Sequence, residues 1–266
     1  MPSLNLADRT ISTKRSAFVM GIVNCTPDSF FAGSRGSASL ALRLADEGAD
    51  ILDIGGESTR PGWKPVSTEE EIRRIVPVIR AVRKKSPIPI SVDTRKKSVM
   101  EAAFNEGADI VNDVSALEDD EELGLFAAQK NLPVILMHRG NCSSGKSAVC
   151  EVGKYLSSRA DYALSCGIGK EKIIVDPGIG FGKDDDVNRA LIADCGSLCE
   201  GTYPVLMALS RKRVIGSMTG RDAEERLYGT LAADLVAVLS GASFVRVHDV
   251  APCVDSLAVL SALRNI

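Results

Sequence analysis

Short apolar runs alternate with longer amphipathic segments along almost the whole chain. Eight of these runs are predicted to be strands: residues 18–23, 51–54, 88–92, 109–112, 133–137, 172–176, 204–208 and 243–247. Most of them are continuously apolar, which is typical of parallel strands that are covered on both faces. The segments between them repeat apolar side chains at helical spacing, as in residues 68–85. The pattern therefore predicts a strand–helix unit that is used repeatedly.

Local signals mark where some of these helices begin and end. The Thr-Glu-Glu-Glu stretch at residues 68–71 resembles a capping box, which predicts the start of the helix over 68–85. Gly48, Gly107 and Gly241 each stand shortly before a predicted strand. Glycine readily adopts the left-handed conformation that ends a helix, so we expect the preceding helices to stop at these positions.

The repeated units predict an α/β fold. Eight strand–helix units in roughly 250 residues are typical of a (β/α)8 TIM barrel, whose active site lies at the C-terminal ends of the strands. No low-complexity linker divides residues 1–266, so we expect a single domain with residues 1–15 as a short N-terminal lead-in. An open, doubly wound sheet is the alternative topology.

Composition does not alter the predicted fold, but it excludes some classes of binding partner. A net charge of -3 and an aromatic content of 5% argue against nucleic acid or an anionic membrane as a partner. No apolar run approaches the ~20 residues that a membrane-spanning helix needs. No secretory signal is recognisable in the first residues, and the seven cysteines form no disulfide pattern, so we expect a cytoplasmic protein with reduced thiols.

Polar side chains collect where the predicted strands end. Each of them alone has an ordinary explanation, such as a helix cap. In a barrel, however, all the C-terminal strand ends meet at one mouth, so these side chains are expected to lie together. They include Asn24, Thr59, Arg60, Asp93, Asn112, His138, Asp176, Lys212, Arg213, Arg246 and His248.

Three of these residues suggest what kind of molecule the mouth binds. Asp93, Asn112 and Asp176 offer carboxylate and amide groups from three different strands. Such a set suits a flat heterocycle that carries amino and ring N–H groups.

Other residues at the strand ends suggest an anion. Thr59, Arg60, Arg246 and His248 are donors for phosphate or pyrophosphate oxygens. Asn24 offers a side-chain oxygen that suits Mg²⁺, an ion that generally accompanies a pyrophosphate leaving group. Together with the acceptors, these residues predict a phosphorylated heterocycle as the substrate.

Seven segments, in the order of the chain, resemble the dihydropteroate synthase family of pterin-binding barrels. The segments are MGIVNCTPDSF (20–30), DIGGESTRPG (53–62), PISVDTRK (89–96), VNDVSAL (111–117), VDPGIGFGK (175–183), LSRK (209–212) and RVHDV (246–250). The resemblance implies that 6-hydroxymethyl-7,8-dihydropterin pyrophosphate is condensed with 4-aminobenzoate, which gives 7,8-dihydropteroate and pyrophosphate for folate biosynthesis. It also implies a Mg²⁺ cofactor, a sulfonamide target and a homodimer formed through late helices, with which the apolar pattern of residues 227–239 agrees.

The resemblance also assigns roles to individual residues. It implies catalytic contributions from Asn24, Arg60, Asp93, Lys212, Arg246 and His248. It implies pterin binding by Asp93, Asn112, Asp176 and Lys212, stacking and anion contact by Arg246, phosphate binding by Thr59, Arg60 and His248, and Mg²⁺ at Asn24. Asp93 and Asp176 are hydrogen-bonding carboxylates in this scheme, since pyrophosphate leaves before the arylamine attacks and no protein nucleophile is required. A role as general base is the second interpretation of these two residues.

The chain departs from the family pattern near the second substrate. Ala32 stands where the family usually has an acid, Arg213 where it usually has serine, and Arg139 where it usually has methionine; residues 140–150 match poorly. Arg213 is therefore expected to pair with the carboxylate of the acceptor or to select a different acceptor.

Two other functions stay open. One is a pterin-binding barrel that has lost condensation or takes another acceptor. The other is a methyltransferase that moves a methyl group from methyltetrahydrofolate to a corrinoid protein. A methyltransferase has no need of a pyrophosphate loop, so the Ser-Thr-Arg stretch at 58–60 favours the synthase.

Overall fold

A computed structural model describes residues 2–26, 34–57, 65–142 and 147–264. The predictions for Ala32, Thr59 and Arg60 fall outside these ranges. Within the described residues, no helix is long and apolar enough to cross a membrane.

The chain opens with a small antiparallel hairpin. Its strands are β1 (Ser3–Asn5) and β2 (Thr10–Ser12), which pair in the register Ser3 with Ser12. The sequence predicted only a lead-in over residues 1–15, because two strands of three residues carry too little hydrophobic pattern to be recognised.

Eight parallel strands follow and form one sheet. They are β3 (Phe18–Asn24), β4 (Ile51–Gly55), β5 (Ile90–Asp93), β6 (Ile110–Asp113), β7 (Val134–Met137), β8 (Ile173–Asp176), β9 (Leu206–Met207) and β10 (Phe244–Val247). Their order in the sheet is β8-β7-β6-β5-β4-β3-β10-β9, and a parallel bridge between Val175 and Val205 joins the two ends. The predicted TIM barrel is thereby confirmed, and the open doubly wound sheet is wrong.

Helices lie between the strands. They are α1 (Ser34–Asp46), α2 (Thr68–Arg83), α3 (Lys97–Asn105), α4 (Glu121–Gln129), α5 (Ser147–Ser165), α6 (Asp185–Ala193), α7 (Arg213–Thr219), α8 (Leu227–Leu239) and α9 (Val250–Arg264). The left-handed glycines are confirmed, since Gly48, Gly107 and Gly241 have φ angles of 96°, 100° and 115°.

Several predicted bounds differ from the structure by one or two residues, and the start of α2 and the length of β9 have a clear physical reason. The cap of α2 is Ser67, whose hydroxyl accepts a hydrogen bond from the Glu70 backbone N–H at 3.2 Å, so Thr68 is already inside the helix. Strand β9 is shorter than the predicted 204–208. Pro204 has no N–H to donate to a neighbouring strand, and Val205 pairs with β8 through an isolated bridge that lies outside β9.

The inside of the barrel is apolar and is closed at its N-terminal end. The rings of Phe18 and Phe244 stack there with centroids 4.9 Å apart. Leu4 and Leu6 of the hairpin belong to the same buried cluster, so the hairpin covers this end of the barrel. The ammonium of Lys172 donates to the carbonyls of Asn5, Leu6 and Asn131 at 3.3, 2.9 and 2.8 Å, which fastens the hairpin to the barrel. The described residues thus close the barrel interior at its N-terminal end and leave it accessible from the C-terminal end.

Candidate active site

A small polar pocket lies at the C-terminal ends of the strands. Its walls are formed by Asp93, Asn112, Val114, Met137, Asp176, Phe181, Ala208, Lys212 and Arg246. Five of these are residues that the sequence singled out, and they come from β5, β6, β8, the loop after β9, and β10. The barrel brings them together from positions that are far apart in the chain, as its topology requires.

Arg246 organises one wall of the pocket. Its Nε donates to Asp53 at 2.6 Å and its Nη2 donates to Asp93 at 3.0 Å. Asp53 is fully buried and also accepts from the Asn112 side-chain amide, with both carboxylate oxygens 3.2 Å from Nδ2. Asp53 thus fixes both the guanidinium of Arg246 and the side chain of Asn112.

The sequence analysis did not identify Asp53 as a site residue. It is an acid inside the otherwise apolar run at 51–54, and that contrast was the available signal. A buried carboxylate needs a charged or hydrogen-bonding partner, so an acid in a predicted interior strand points to a polar network at that strand.

Two carboxylates share one guanidinium in this wall, and this arrangement affects their titration. Burial raises the pKa of Asp93 to about 7, while Arg246 lowers it and Asp53 raises it. Burial acts to lower the pKa of Arg246, but Asp53 and Asp93 outweigh it and hold that pKa above its ordinary value. Arg246 therefore stays charged, and Asp93 takes up a proton more readily than an exposed aspartate.

Asp176 and Lys212 form the opposite wall, and both side chains contact the glycine-rich loop at residues 177–182. The Gly178 N–H donates to Asp176 Oδ1 at 2.7 Å, and Lys212 Nζ donates to the Ile179 carbonyl at 2.6 Å. The same ammonium lies 5.0 Å from the centre of the Phe181 ring. Burial raises the pKa of Asp176 and lowers the pKa of Lys212 to about 8, and in each case the partner charge acts in the opposite direction.

Candidate anion ligands lie beside this pocket. His248 follows β10, and its backbone N–H and Nδ1 lie 3.2 and 3.0 Å from the Ser210 hydroxyl. Asn24 is the last residue of β3, the strand between β10 and β4, and pairs in register with Gly55. Both residues thus lie at the same end of the barrel as the pocket.

The structure gives a limited set of ligands for a metal ion. In the described part of the chain, no three or more histidines, cysteines or acids are grouped so that they could hold one. Asn24 contributes a single neutral oxygen. Mg²⁺ often keeps several waters and takes its remaining ligands from substrate phosphates. The residues therefore fit an ion that arrives with pyrophosphate and do not fit a metal held by the protein alone.

Two other predicted residues take positions outside the pocket walls. Arg213 is the first residue of α7, its side chain is 71% exposed, and its Nη2 lies 3.1 Å from Asp185. His138 is buried edge-on against Tyr155 with ring centroids 4.8 Å apart. Burial, together with the charge of Lys183, lowers the pKa of His138 to about 4, so this imidazole is neutral near pH 7.

Arg139, which departs from the family pattern, belongs to a chain of ion pairs. Its guanidinium contacts Asp119, and Arg95 donates to the same carboxylate at 2.5 Å. Arg95 also donates to Glu57 at 2.5 Å. Arg139 therefore links the end of β7 to the ends of β4 and β5, and its charge is used within the protein.

Comparisons with known proteins agree with this geometry. The family model described as pterin binding enzyme matches residues 20–248. The dihydropteroate synthase of Haemophilus influenzae is 42% identical over 259 residues, covering 93% of this chain and 94% of that protein. That of Clostridium beijerinckii is 39% identical over 252 residues, covering 92% of this chain and 91% of that protein.

A solved structure shows the same architecture. The Xanthomonas albilineans dihydropteroate synthase with 4-aminobenzoic acid has a TM-score of 0.94 and 45% identity, and the match covers 100% of this chain and 99% of that one. The sequence comparisons thus agree on the family, and the structure comparison agrees with the barrel fold. The chain belongs to the dihydropteroate synthase family of pterin-binding enzymes.

Proposed function

We propose that this chain condenses 6-hydroxymethyl-7,8-dihydropterin pyrophosphate with 4-aminobenzoate. The observation that carries the proposal is the convergence of Asp93, Asn112, Asp176, Lys212 and Arg246 on one pocket. In the reaction, the C–O bond to pyrophosphate breaks and leaves a methylene cation stabilised by the pterin ring. The amine of 4-aminobenzoate then forms the C–N bond and loses a proton.

The pocket residues bind and orient the pterin. Asp93, Asp176 and the Asn112 oxygen accept hydrogen bonds from amino and ring N–H groups, while Lys212 donates to an acceptor of the ring. Arg246 is already held by two carboxylates before any ligand binds. A group that is fixed in advance loses little entropy when the substrate arrives, so catalysis rests on positioning and charge stabilisation.

The anion-binding residues hold the leaving group. We assign Thr59, Arg60 and His248 to phosphate oxygens and Asn24 to a Mg²⁺ ion that arrives with the pyrophosphate. When bound, that ion neutralises charge that develops on the leaving oxygen.

The seven cysteines form no disulfides, which supports a function in the reducing cytoplasm.

The decisive experiment measures release of pyrophosphate. We expect release with both substrates and Mg²⁺, and none when either substrate is omitted. Asp176→Asn should lower kcat/KM for the pterin about 100-fold, because the new amide places donors against the donors of the ring. Asp161→Asn, a matched change on the exposed face of α5, should leave kcat/KM unchanged.

The alternatives predict different results in the same assay. A barrel without condensation activity would bind the pterin and release no pyrophosphate. A methyltransferase would instead demethylate methyltetrahydrofolate in the presence of a corrinoid acceptor. Either result would contradict the proposed condensation.

The dependence of kcat/KM on pH follows from the two walls of the pocket. Asp93 must lose its proton to accept hydrogen bonds, and its pKa is raised to about 7, so activity rises as the pH increases through that value. Lys212 must keep its proton to donate, and its pKa is lowered to about 8, so activity falls above that value. Initial rates at low pterin concentration should therefore give a bell with its maximum between these values. A flat profile, with an unfolding temperature that is constant over the same range, would rule this assignment out.

Arg213 is proposed to bind the carboxylate of the acceptor. Its side chain is 71% exposed and its guanidinium lies at the entrance of α7, so a ligand can reach it from solvent. Arg213→Ser should raise KM for 4-aminobenzoate about fivefold and leave KM for the pterin unchanged. Arg189→Ser removes a comparable exposed arginine, which contacts Asp186 on α6, and should change neither constant. An unchanged KM for 4-aminobenzoate in Arg213→Ser would remove this role.

The late helices carry the features of a homodimer interface. Large apolar side chains are exposed on two neighbouring helices: Tyr228, Val236 and Leu239 on α8, and Val259 and Leu263 on α9. Large apolar side chains exposed together on adjoining helices are typical of a surface that another protein covers. A second copy of the chain is the proposed occupant.

Sedimentation velocity tests this proposal. We expect a dimer for the native chain and a monomer for Tyr228→Glu, which places a charge in the patch at a side chain that is 81% exposed. Leu125→Glu puts the same charge on an exposed leucine of α4 and should remain dimeric. A monomeric native chain would disprove the homodimer.

A further inference from the structure

Lys183 has a buried ammonium group that the pterin chemistry described above does not use. It follows the glycine-rich loop after β8, and its side chain is almost fully enclosed. Its Nζ donates to three backbone carbonyls, those of His138 at 3.1 Å, Gly178 at 3.0 Å and Phe181 at 3.3 Å. Within the described residues, its hydrogen bonds go to carbonyl groups and none goes to a carboxylate.

The path of the loop explains why a cation is needed there. Gly178 has a φ angle of 66°, and a Cβ at this position would lie 1.9 Å from the His138 carbonyl oxygen. The loop is thus pressed against the end of β7, and three carbonyl oxygens converge on one buried point. The carbonyls of Gly178 and Phe181 also accept from the N–H groups of Phe181 and Gly140, at 3.1 and 3.2 Å. Among the described residues it is therefore the His138 carbonyl that would be left unsatisfied away from water without the ammonium, at a cost in free energy.

The same short loop also holds two charges of the pocket. The N–H of Gly178 orients Asp176, while the carbonyl of Ile179 receives the ammonium of Lys212. Residues 178–181 therefore form an arch. Lys183 donates to the Gly178 and Phe181 carbonyls of this arch. Asp176 and Lys212, which are proposed to bind the pterin, contact its Gly178 N–H and its Ile179 carbonyl.

We propose that Lys183 is a positioning residue for pterin binding. Its ammonium fixes the arch at 178–181 and thereby aims Asp176 and Lys212 at the ring. The proposal rests on the proposed function, because it takes these two residues as pterin ligands. It does not extend to the acceptor, so 4-aminobenzoate binding should not depend on Lys183.

The chain offers a matched control at the other end of the barrel. Lys172 is also buried, and it too donates to three backbone carbonyls, those of Asn5, Leu6 and Asn131. Its bonds fasten the N-terminal hairpin, far from the pocket. Lys172→Met and Lys183→Met thus remove the same chemistry, but only one of them lies beside the pterin site.

The experiment compares these two variants in the full-length protein. Titration calorimetry with 6-hydroxymethylpterin, which has no leaving group and cannot react, measures ring binding directly. We expect Lys183→Met to weaken this binding about tenfold and to raise KM for the pterin substrate by a similar factor. Its KM for 4-aminobenzoate should stay within about twofold of the native value. Lys172→Met should bind the pterin like the native protein, although both variants unfold at lower temperature.

Each other result counts against a defined claim. Equal pterin affinity in the two lysine variants, whether native or reduced, would overturn the positioning role, since any effect would then be a general loss of stability. Failure of the native protein to bind 6-hydroxymethylpterin would instead refute the proposed function. If Lys183→Met does not fold, Lys183→Gln and Lys172→Gln, which keep two N–H donors without the charge, are compared by the same titration.

Discussion

The structure of the site depends on a single guanidinium held between two acids. Arg246 donates to Asp53 and Asp93, and Asp53 also accepts from Asn112. A buried charge without a partner is costly, so each of these groups needs the others in place. Because they come from four strands of the barrel, the ends of β4, β5, β6 and β10 are tied together by the same contacts. A substrate therefore meets an arrangement that is already formed.

The barrel makes this concentration of charge tolerable by keeping polar groups at one end. Its interior is apolar around Phe18 and Phe244, and the hairpin closes the N-terminal side with Leu4 and Leu6. Polar side chains that face the mouth can be satisfied by each other, by water or by a ligand. The same side chains in the apolar interior would lose those partners, and desolvation would then dominate. The division between a stabilising end and a functional end is a general property of this fold.

Much of this arrangement could be predicted from the chain alone. Eight apolar runs gave the strands, and the meeting of strand ends gave the pocket that contains Asp93, Asn112 and Asp176. What escaped prediction depends on contacts that no local pattern encodes. Asp53 contacts Arg246, which lies 193 positions later in the chain, and nothing near Asp53 in sequence indicates this partner. The hairpin strands are short and mostly polar, so their place is set by the barrel that Leu4 and Leu6 cover.

Charge in the pocket also explains how a pterin pyrophosphate would be oriented. Three carboxylates, from Asp53, Asp93 and Asp176, lie near Lys212 and Arg246, and the ammonium of Lys183 is buried on the glycine-rich loop, so these charges balance when all are ionised. Such a pocket offers carboxylate and amide oxygens to a ring rich in N–H donors. We assign the pyrophosphate to the rim, where His248 and Asn24 lie. The reacting methylene then lies at the boundary between these two zones, where the leaving group can depart to solvent and the arylamine can approach. The barrel mouth thus separates the pocket proposed for the ring from the rim assigned to the leaving group.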